Sequence, residues 1–239
     1  MAQTKQVKSK KRVADHGEVF TAEREVKAMC DLVSDECLRI DSRFLEPACG
    51  DGNFLAEILK RKLDVVREKY RRSSYDWERY SLLALGSLYG VDILADNCQN
   101  CRNRLMKIWD SEYKKICKKE CNDATRKAAS FILKCNIVCG NALSLLCVDE
   151  NQNDTETPIV FSEWTFPQNN AFIHRKDYTF AELLDEKPKE KKSTQQSLFD
   201  IDELESNGEG KFIEEYVCHY RQLGEVENPE IKEEVELCE

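Results

Sequence analysis

A short stretch near the start of this 239-residue chain, Phe44 to Leu59, constrains the fold more than any other. It begins with apolar residues that favour a β-strand and continues into a turn containing Gly50 and Gly52. From Phe54 onward the apolar residues recur at helical spacing. Strand, glycine turn and helix form the first unit of a nucleotide-binding α/β sheet, because glycines let a ligand approach and the helix start offers free N–H groups. The stretch predicts a ligand site at this turn.

Two alternatives to a dinucleotide site remain at this point. The turn has two glycines and is preceded by Glu46 and Pro47, so it is not the G-x-G-x-x-G fingerprint. A strand–turn–helix that binds nothing is one alternative. The other is a resemblance: Glu46 to Phe54 resemble the S-adenosylmethionine loop of amino-group DNA methyltransferases. That resemblance implies a cofactor contact from each of these residues: Glu46, Pro47, Cys49, Gly50, Asp51 and Gly52.

Three further motifs follow the order of the same family. Gly17-x-x-Phe20-Thr21 resembles the segment that closes over the cofactor, and Thr21 is also placed to cap a helix predicted over residues 22–40. Asp92 ends a predicted strand over residues 87–93, where a carboxylate can accept the ribose hydroxyls, or else caps the next helix. Gly140-Asn141 resembles the third motif, in which Asn141 replaces an aspartate that meets adenine.

Together these motifs resemble the N6-adenine DNA methyltransferases of restriction–modification systems, over about residues 12–145. The resemblance implies a Rossmann-like S-adenosylmethionine-dependent sheet, shortened and with helical insertions, that transfers a methyl group to an adenine amino group in DNA. It also implies DNA as a partner. We expect about four parallel strands, near residues 43–48, 87–93, 136–139 and 158–163.

The family's catalytic Asn-Pro-Pro-Tyr tetrapeptide does not occur in this sequence. At the corresponding place a predicted strand ends in Ser162-Glu163-Trp164. Glu163 could accept a hydrogen bond from the target amino group and Trp164 could stack on a flipped base. The alternative, which we favour, is a strand end whose tryptophan packs in the core. Function therefore remains open between a methyltransferase and an inactive accessory subunit that acts with a protein partner.

Composition narrows the class of protein. No apolar run is long enough to span a bilayer and no export signal follows the basic N-terminus, so we expect a cytoplasmic protein without a membrane partner. The twelve cysteines then indicate reduced thiols. Their spacing lacks two matched Cys-x-x-Cys pairs, and we expect no metal site.

Charge and composition divide the chain into three parts. Residues 1–15 form a basic arm that we expect to be disordered, and residues 16–184 form the cofactor-binding domain. Residues 181–239 carry 18 acidic and 7 basic side chains, a net charge of −11, against −9 for the whole chain. Residues 185–239 are interpreted as an acidic linker, an amphipathic helix over 211–223 and a tail.

The acidic linker contains one short apolar peptide. Gln195, Gln196, Ser197, Leu198 and Phe199 resemble the Gln-Leu-Ser-Leu-Phe peptide that docks bacterial replication and repair proteins on the DNA sliding clamp. Two adjacent large apolar side chains in a polar segment suit docking into a groove. The alternative is a short helix that packs back on the domain. The peptide makes a sliding clamp a candidate partner.

Overall fold

A computed structural model describes residue 12 and residues 21–167, 170–185 and 214–225. Helices and strands alternate through the first two thirds of the chain, as the apolar spacing indicates. The helices are α1 Glu23–Leu32, α2 Ser34–Cys37, α3 Asn53–Tyr70, α4 Ser74–Gly86, α5 Ala95–Cys117, α6 Asp123–Asn136 and α7 Phe180–Asp185. The strands are β1 Phe44–Glu46, β2 Leu88–Asp92, β3 Ile137–Asn141, β4 Leu146–Val148, β5 Asp154–Pro158, β6 Val160–Thr165, β7 Phe172–Thr179 and β8 Glu214–His219.

The larger sheet has five strands in the order β1-β2-β3-β4-β5, with β1 at one edge. Strands β1, β2 and β3 are parallel, with Leu45 opposite Tyr89 and Val91 opposite Val138. Helices α3 and α4 connect β1 to β2, and α5 and α6 connect β2 to β3. The expected mixed α/β architecture is confirmed. The carboxyl ends of β1 and β2 meet at one edge of the sheet, which brings the glycine turn next to Asp92.

The expected fourth parallel strand is wrong. Strand β6 pairs antiparallel with β7, and β7 with β8, in a separate three-stranded sheet. Ile159, just before β6, lies against Gly140 of β3, whereas Trp164 near its end lies against Gly86, just before β2. Strand β6 therefore runs from the carboxyl ends toward the amino ends of the parallel strands. Its apolar residues pack on a face of the larger sheet instead of extending that sheet.

The amphipathic helix expected over residues 211–223 is also wrong where the structure describes it. Residues 214–219 form strand β8, and a short 3₁₀ turn, Tyr220–Gln222, follows. Along β8, Glu215 and Val217 are exposed whereas Tyr216 and Cys218 are half-buried. This alternation is that of a strand with one face on the protein. The helical spacing of the apolar residues was overridden by pairing with β7.

The start of the domain differs from expectation in detail. The helix predicted over 22–40 is interrupted at Val33, between α1 and α2. Ala22, not Thr21, is the N-cap residue, and it makes no side-chain cap bond. The cap of α4 is conventional, because the Ser73 hydroxyl accepts a hydrogen bond from the Asp76 N–H.

The main core lies between the helices and the larger sheet. Its centre is aromatic, with the ring centroids of Trp77 and Tyr113 5.5 Å apart and those of Trp109 and Tyr113 4.8 Å apart. All three side chains are fully buried. In the part of the chain that the structure describes, no helix is both long and apolar enough to cross a membrane.

Candidate functional site

The glycine turn after β1 is fixed to β2 by main-chain bonds. The Cys49 N–H donates to the Val91 carbonyl at 2.8 Å, and the Gly52 N–H donates to the Cys49 carbonyl at 2.8 Å. Gly50 has φ 53° and Gly52 has φ 83°, which is the left-handed region that favours glycine. A Cβ atom at residue 52 would lie 2.6 Å from the Cys101 sulfur. Gly52 is therefore required both by its backbone angle and by close packing against α5.

Asp92 lies against this turn, as the sequence predicts. One carboxylate oxygen, Oδ2, accepts the Gly50 N–H at 2.9 Å. The other, Oδ1, accepts the Leu94 N–H at 2.9 Å and the Asn97 side-chain amide at 3.2 Å. Leu94 is the N-cap residue of α5. The same carboxylate thus orders the turn and the start of the helix, and its contact with a ribose stays a prediction.

Asp51 carries the unusual feature of the turn. Its Oδ2 accepts a hydrogen bond from Arg104 of α5 at 2.8 Å. Its Oδ1 is buried and has no hydrogen-bond partner among the described residues. Burying a carboxylate oxygen without a donor costs about 1–3 kcal/mol or more. An oxygen left in this state at a turn suits a donor supplied by a ligand.

The start of helix α3 lies beside Asp51. Gly52 is the N-cap residue of α3 and provides no side-chain cap. The first N–H groups of such a helix attract negatively charged groups. Arg104 also bonds the Asn53 amide oxygen, and the Asn53 amide donates to the Thr21 carbonyl at 3.3 Å. The main chain at Thr21 therefore lies beside the turn, whereas Phe20, the other predicted covering residue, lies outside the described residues.

Glu46 and Pro47 connect β1 to the turn. Burial raises the pKa of the Glu46 carboxyl, and a hydrogen bond from the Ala48 N–H opposes that shift. Glu46 is half-buried at the carboxyl end of β1, where an approaching cation would favour its ionised form. Pro47 is the first residue after β1.

A cavity of about 360 Å³ opens at the carboxyl ends of β2 and β3. Its apolar wall is formed by Ile93, Leu94 and Cys139, directly after Asp92 and within β3. Acidic groups, among them Asp96, surround it, and Arg12 bonds Asp96 at 2.7 Å. The volume is in the range of small-ligand pockets and can contain a nucleobase. The sequence suggested none of these wall residues, although they follow directly from the position of Asp92.

Asn141, the predicted adenine contact, is the last residue of β3, and its side chain reaches toward β5. Its side-chain amide donates to the Asp154 carboxylate at 3.0 Å, and its amide oxygen accepts the Leu143 N–H at 3.0 Å. Asn141 does not line the cavity beside Asp92. The structure brings together the turn, Glu46 and Asp92, but it places Asn141 in the tight turn that leads from β3 to β4.

Four cysteines lie close together beneath the turn: Cys49, Cys98, Cys101 and Cys139. Hydrogen bonding to Cys101 raises the pKa of the Cys49 thiol, and hydrogen bonding to Cys49 raises that of Cys98. Burial raises the pKa of Cys139 to about 11. Cys49, Cys98 and Cys139 are therefore neutral thiols near pH 7. Among the described residues, no group of three or more His, Cys, Asp or Glu side chains is arranged to hold a metal ion.

The segment Ser162-Glu163-Trp164 lies at the opposite end of the parallel strands. The Ser162 hydroxyl is buried and bonded to Asp177 at 2.6 Å, and Trp164 packs over Gly86. Glu163 points to the other face of β6, where it pairs with Arg43 at 3.5 Å. Gly86 and Arg43 precede β2 and β1, and a five-residue strand such as β2 spans about 13 Å. The structure does not bring these three side chains to the glycine turn.

One predicted segment and two residues that the sequence did not indicate remain. The peptide Gln195–Phe199 lies outside the described residues. Arg12 bonds Asp96 at the cavity and Arg104 bonds Asp51 in the turn. Neither contact had a signal in the sequence, because only the tertiary fold brings these residues together. No protein-family model, curated protein or solved structure matches this chain.

Proposed function

We propose that this chain binds S-adenosylmethionine at the glycine turn, as the methyltransferases that its motifs resemble do. One observation carries the proposal: a buried Asp51 oxygen without a partner lies in a left-handed glycine turn, between an uncapped helix start and the Asp92 carboxylate. The amino-acid part of the cofactor brings an ammonium and a carboxylate. Those two groups are complementary to Asp51 and to the first turn of α3.

The neighbouring residues suit the remainder of the ligand. We propose that Asp92, which accepts the Gly50 N–H in the turn, also accepts the ribose hydroxyls, and the apolar wall of Ile93 and Leu94 suits an adenine ring. Glu46 adds a second carboxylate near the positive end of the ligand. When bound, the cofactor supplies an activated methyl group. The residues of this chain bind it, orient it and balance its charge.

Methyl transfer to the N6 atom of adenine in DNA is the activity that the resemblance implies, and we propose it as the reaction class. The basic residues at the N-terminus of the sequence suit contact with DNA phosphates. The residues that would hold the target adenine are unassigned. Among the described residues beside the turn, none form a pair of groups that would accept hydrogen bonds from an adenine amino group.

A second candidate is a cofactor-binding subunit that requires a protein partner for catalysis. Strand β1, which leads into the glycine turn, is at the edge of its sheet, and Leu45 in it is exposed. An exposed strand edge beside a ligand site can accept a strand from another protein. In this case the partner supplies the groups that hold the target base.

Isothermal titration calorimetry with S-adenosylmethionine and its demethylated product, S-adenosylhomocysteine, tests the cofactor proposal. We expect binding by the native protein, and a loss of at least tenfold in Asp92→Ala, from removal of a charged acceptor. Glu156→Ala, an exposed acid on β5, is the matched control and should bind normally. Absence of heat with both ligands at about millimolar concentration would overturn the proposal.

Transfer of labelled methyl groups to mixed-sequence DNA separates the two candidates. Transfer by the purified chain alone, lost in Asp92→Ala, supports the enzyme. Cofactor binding without transfer supports the subunit that acts with a partner.

A further inference from the structure

Arg12 lies beside the proposed cofactor site and bonds the first turn of helix α5 through both ends of its guanidinium group. Its Nη1 donates to Asp96 Oδ2 at 2.7 Å, and its Nη2 donates to Asp96 Oδ1 at 3.1 Å. The same Nη2 also donates to the Asn97 side-chain oxygen at 3.1 Å. A planar guanidinium can meet these acceptors together, whereas a lysine ammonium has no such fork. Arg12 therefore holds an exposed carboxylate and a buried amide in one contact.

Asn97 connects this contact to Asp92. Asn97 is 1% exposed, and its amide nitrogen donates to Asp92 Oδ1 at 3.2 Å. A guanidinium group only donates hydrogen bonds, and a carboxylate only accepts them. Both neighbours therefore require the same orientation of the Asn97 amide, with its oxygen toward Arg12 and its nitrogen toward Asp92. A side chain of the cavity wall thus fixes a donor that holds Asp92.

Asp92 uses most of its acceptor capacity inside the protein. Its Oδ1 accepts the Leu94 N–H and the Asn97 amide, and its Oδ2 accepts the Gly50 N–H. A carboxylate has about four lone-pair positions, so the donors among the described residues leave one position, on Oδ2. Asp92 is half-buried, which leaves part of its side chain accessible. The bonds to Oδ1 determine where Oδ2 points, and therefore where a ribose hydroxyl can bind.

We propose that Arg12 is a positioning residue of the cofactor site, which acts through Asn97 to direct Asp92 Oδ2 toward the ribose. This inference rests on the cofactor binding proposed above. Without Arg12, the Asn97 amide loses one of the partners that fix its orientation, and Asp92 is held less firmly. The glycine turn keeps its main-chain bond to β2, so the loss should be confined to the ribose contact. Arg12 also lines the cavity, and the alternative is that it contacts the ligand directly.

Isothermal titration calorimetry of the full-length protein with S-adenosylhomocysteine tests the assignment. Arg12→Ala should weaken binding at least about fivefold. Arg12→Lys should weaken it by a similar factor, because a lysine keeps the charge beside Asp96 but lacks the fork that reaches Asn97. Arg39→Ala is the matched control and should bind normally, since Arg39 also pairs with a surface acid, Glu36, but does not line the cavity. Native affinity in Arg12→Ala or in Arg12→Lys would overturn the assignment.

A ligand analogue distinguishes a ribose contact from general damage to the site. The 2′,3′-dideoxy analogue of S-adenosylhomocysteine lacks both ribose hydroxyls, so the direction of Asp92 Oδ2 no longer affects its binding. The native protein and Arg12→Ala should therefore bind this analogue equally, within about twofold. A loss as large as that for S-adenosylhomocysteine would mean that Arg12 supports the site only structurally, and it would overturn the proposal.

A double-mutant cycle tests the route through Asn97. In an Asn97→Ala background, Arg12→Ala should weaken binding less than about twofold, because the amide on which Arg12 acts is already absent. An equal loss in both backgrounds would indicate direct contact between Arg12 and the ligand and would overturn this route. If Asn97→Ala does not fold, the comparison with the dideoxy analogue still decides, since it needs only the Arg12 variants.

The same titrations separate this inference from the cofactor proposal. Failure of the native protein to bind S-adenosylhomocysteine would overturn both. Native binding that Arg12→Ala leaves unchanged would overturn the role of Arg12 alone.

Discussion

Two acidic side chains, Glu78 and Asp51, show how differently this fold treats a buried carboxylate. Glu78 in α4 is fully buried, and its oxygens accept hydrogen bonds from Tyr113 and Tyr220 at 2.5 Å, from Arg221 at 2.8 Å and from Asn122 at 3.1 Å. Asp51 in the glycine turn has one oxygen bonded to Arg104 and one oxygen with no partner.

The comparison distinguishes a carboxylate that stabilises the fold from one that can bind a ligand. The Glu78 cluster joins three helices to the segment after β8, and each of its oxygens has at least two donors, so nothing remains for a ligand. The glycine turn contains a buried oxygen without a hydrogen-bond partner, and the free-energy cost of that oxygen must be offset by favourable interactions elsewhere in the fold. We therefore expect variants at the first site to change stability and variants at the second to change binding.

The largest effect is expected for Glu78→Ala. The substitution leaves two tyrosine hydroxyls and the Arg221 guanidinium without their acceptor, at a cost of about 3–5 kcal/mol. Urea denaturation measures it, with Glu156→Ala as a surface control that should stay within about 0.5 kcal/mol. A loss below about 1 kcal/mol would show that the cluster contributes little to stability.

Lys62 extends the comparison to a buried cation, and its effect depends on pH. Its ammonium donates to the Ser87 hydroxyl at 2.6 Å and to the Ile40 and Ser42 carbonyls. These acceptors favour the charged form, but burial is the larger influence and lowers the pKa to about 7 from 10.5. Between these two values the unfolded chain holds a proton that the folded chain has lost, so stability rises with pH and is lost as the pH falls toward 7.

Between pH 7 and 9, we expect the free energy of unfolding of the native protein to rise by about 2–3 kcal/mol relative to that of Lys62→Met. The slope is at most about 1.4 kcal/mol per pH unit. Parallel urea titrations of both proteins measure this gain, because groups common to both cancel. A difference that does not change with pH would mean that the three oxygen acceptors keep Lys62 protonated.

Gly52→Ala tests the geometry of the turn itself. The left-handed backbone costs about 1–2 kcal/mol for a residue with a Cβ atom, and the contact with Cys101 adds to that cost. We expect a loss of about 2 kcal/mol in thermal or urea denaturation, together with weaker cofactor binding. In a Cys101→Ala background the added cost should fall to about 1 kcal/mol, because only the backbone strain remains. An unchanged cost in that background would argue against the steric contact.

The smallest change in stability is expected for Asp51→Asn. The pair with Arg104 is partly exposed, and such pairs contribute about 1 kcal/mol or less. The neutral amide should nevertheless weaken S-adenosylhomocysteine binding at least tenfold, because it removes the charge opposite the ligand ammonium. Calorimetry and denaturation on the same sample measure both quantities. A large loss of stability with unchanged binding would reverse the roles assigned to Asp51 and Glu78.

The sequence predicted the parts of the fold that depend on local patterns. The strand–turn–helix that begins at Phe44 and the second strand, which ends in Asp92, both appear close to their expected positions. In each, apolar spacing and a nearby turn or cap determine the element. Asp92 reaches the turn because the carboxyl ends of adjacent parallel strands share one edge of the sheet.

The parts that failed depend on pairing between distant segments. Strand β8 was expected as a helix because its apolar spacing fits one, and the edge of β7 decided otherwise. The direction of β6 is likewise set by its partner β7 and by packing over Gly86, which a single-sequence pattern does not encode. Arg104 reaches Asp51 only through the way in which α5 packs on α3.

The three-residue length of β1 has a consequence for how quickly the site's main-chain amides exchange with solvent. Strand β1 pairs with β2 through three register positions, and in the larger sheet it has a neighbour on one side only. Its opening requires few bonds to break, so its amide hydrogens should exchange faster than those of β2 between β1 and β3. A ligand that contacts both Glu46 and Asp92 would close this opening. Binding would then slow deuterium uptake at Phe44 and Leu45, the two residues of β1 that precede the contacted Glu46.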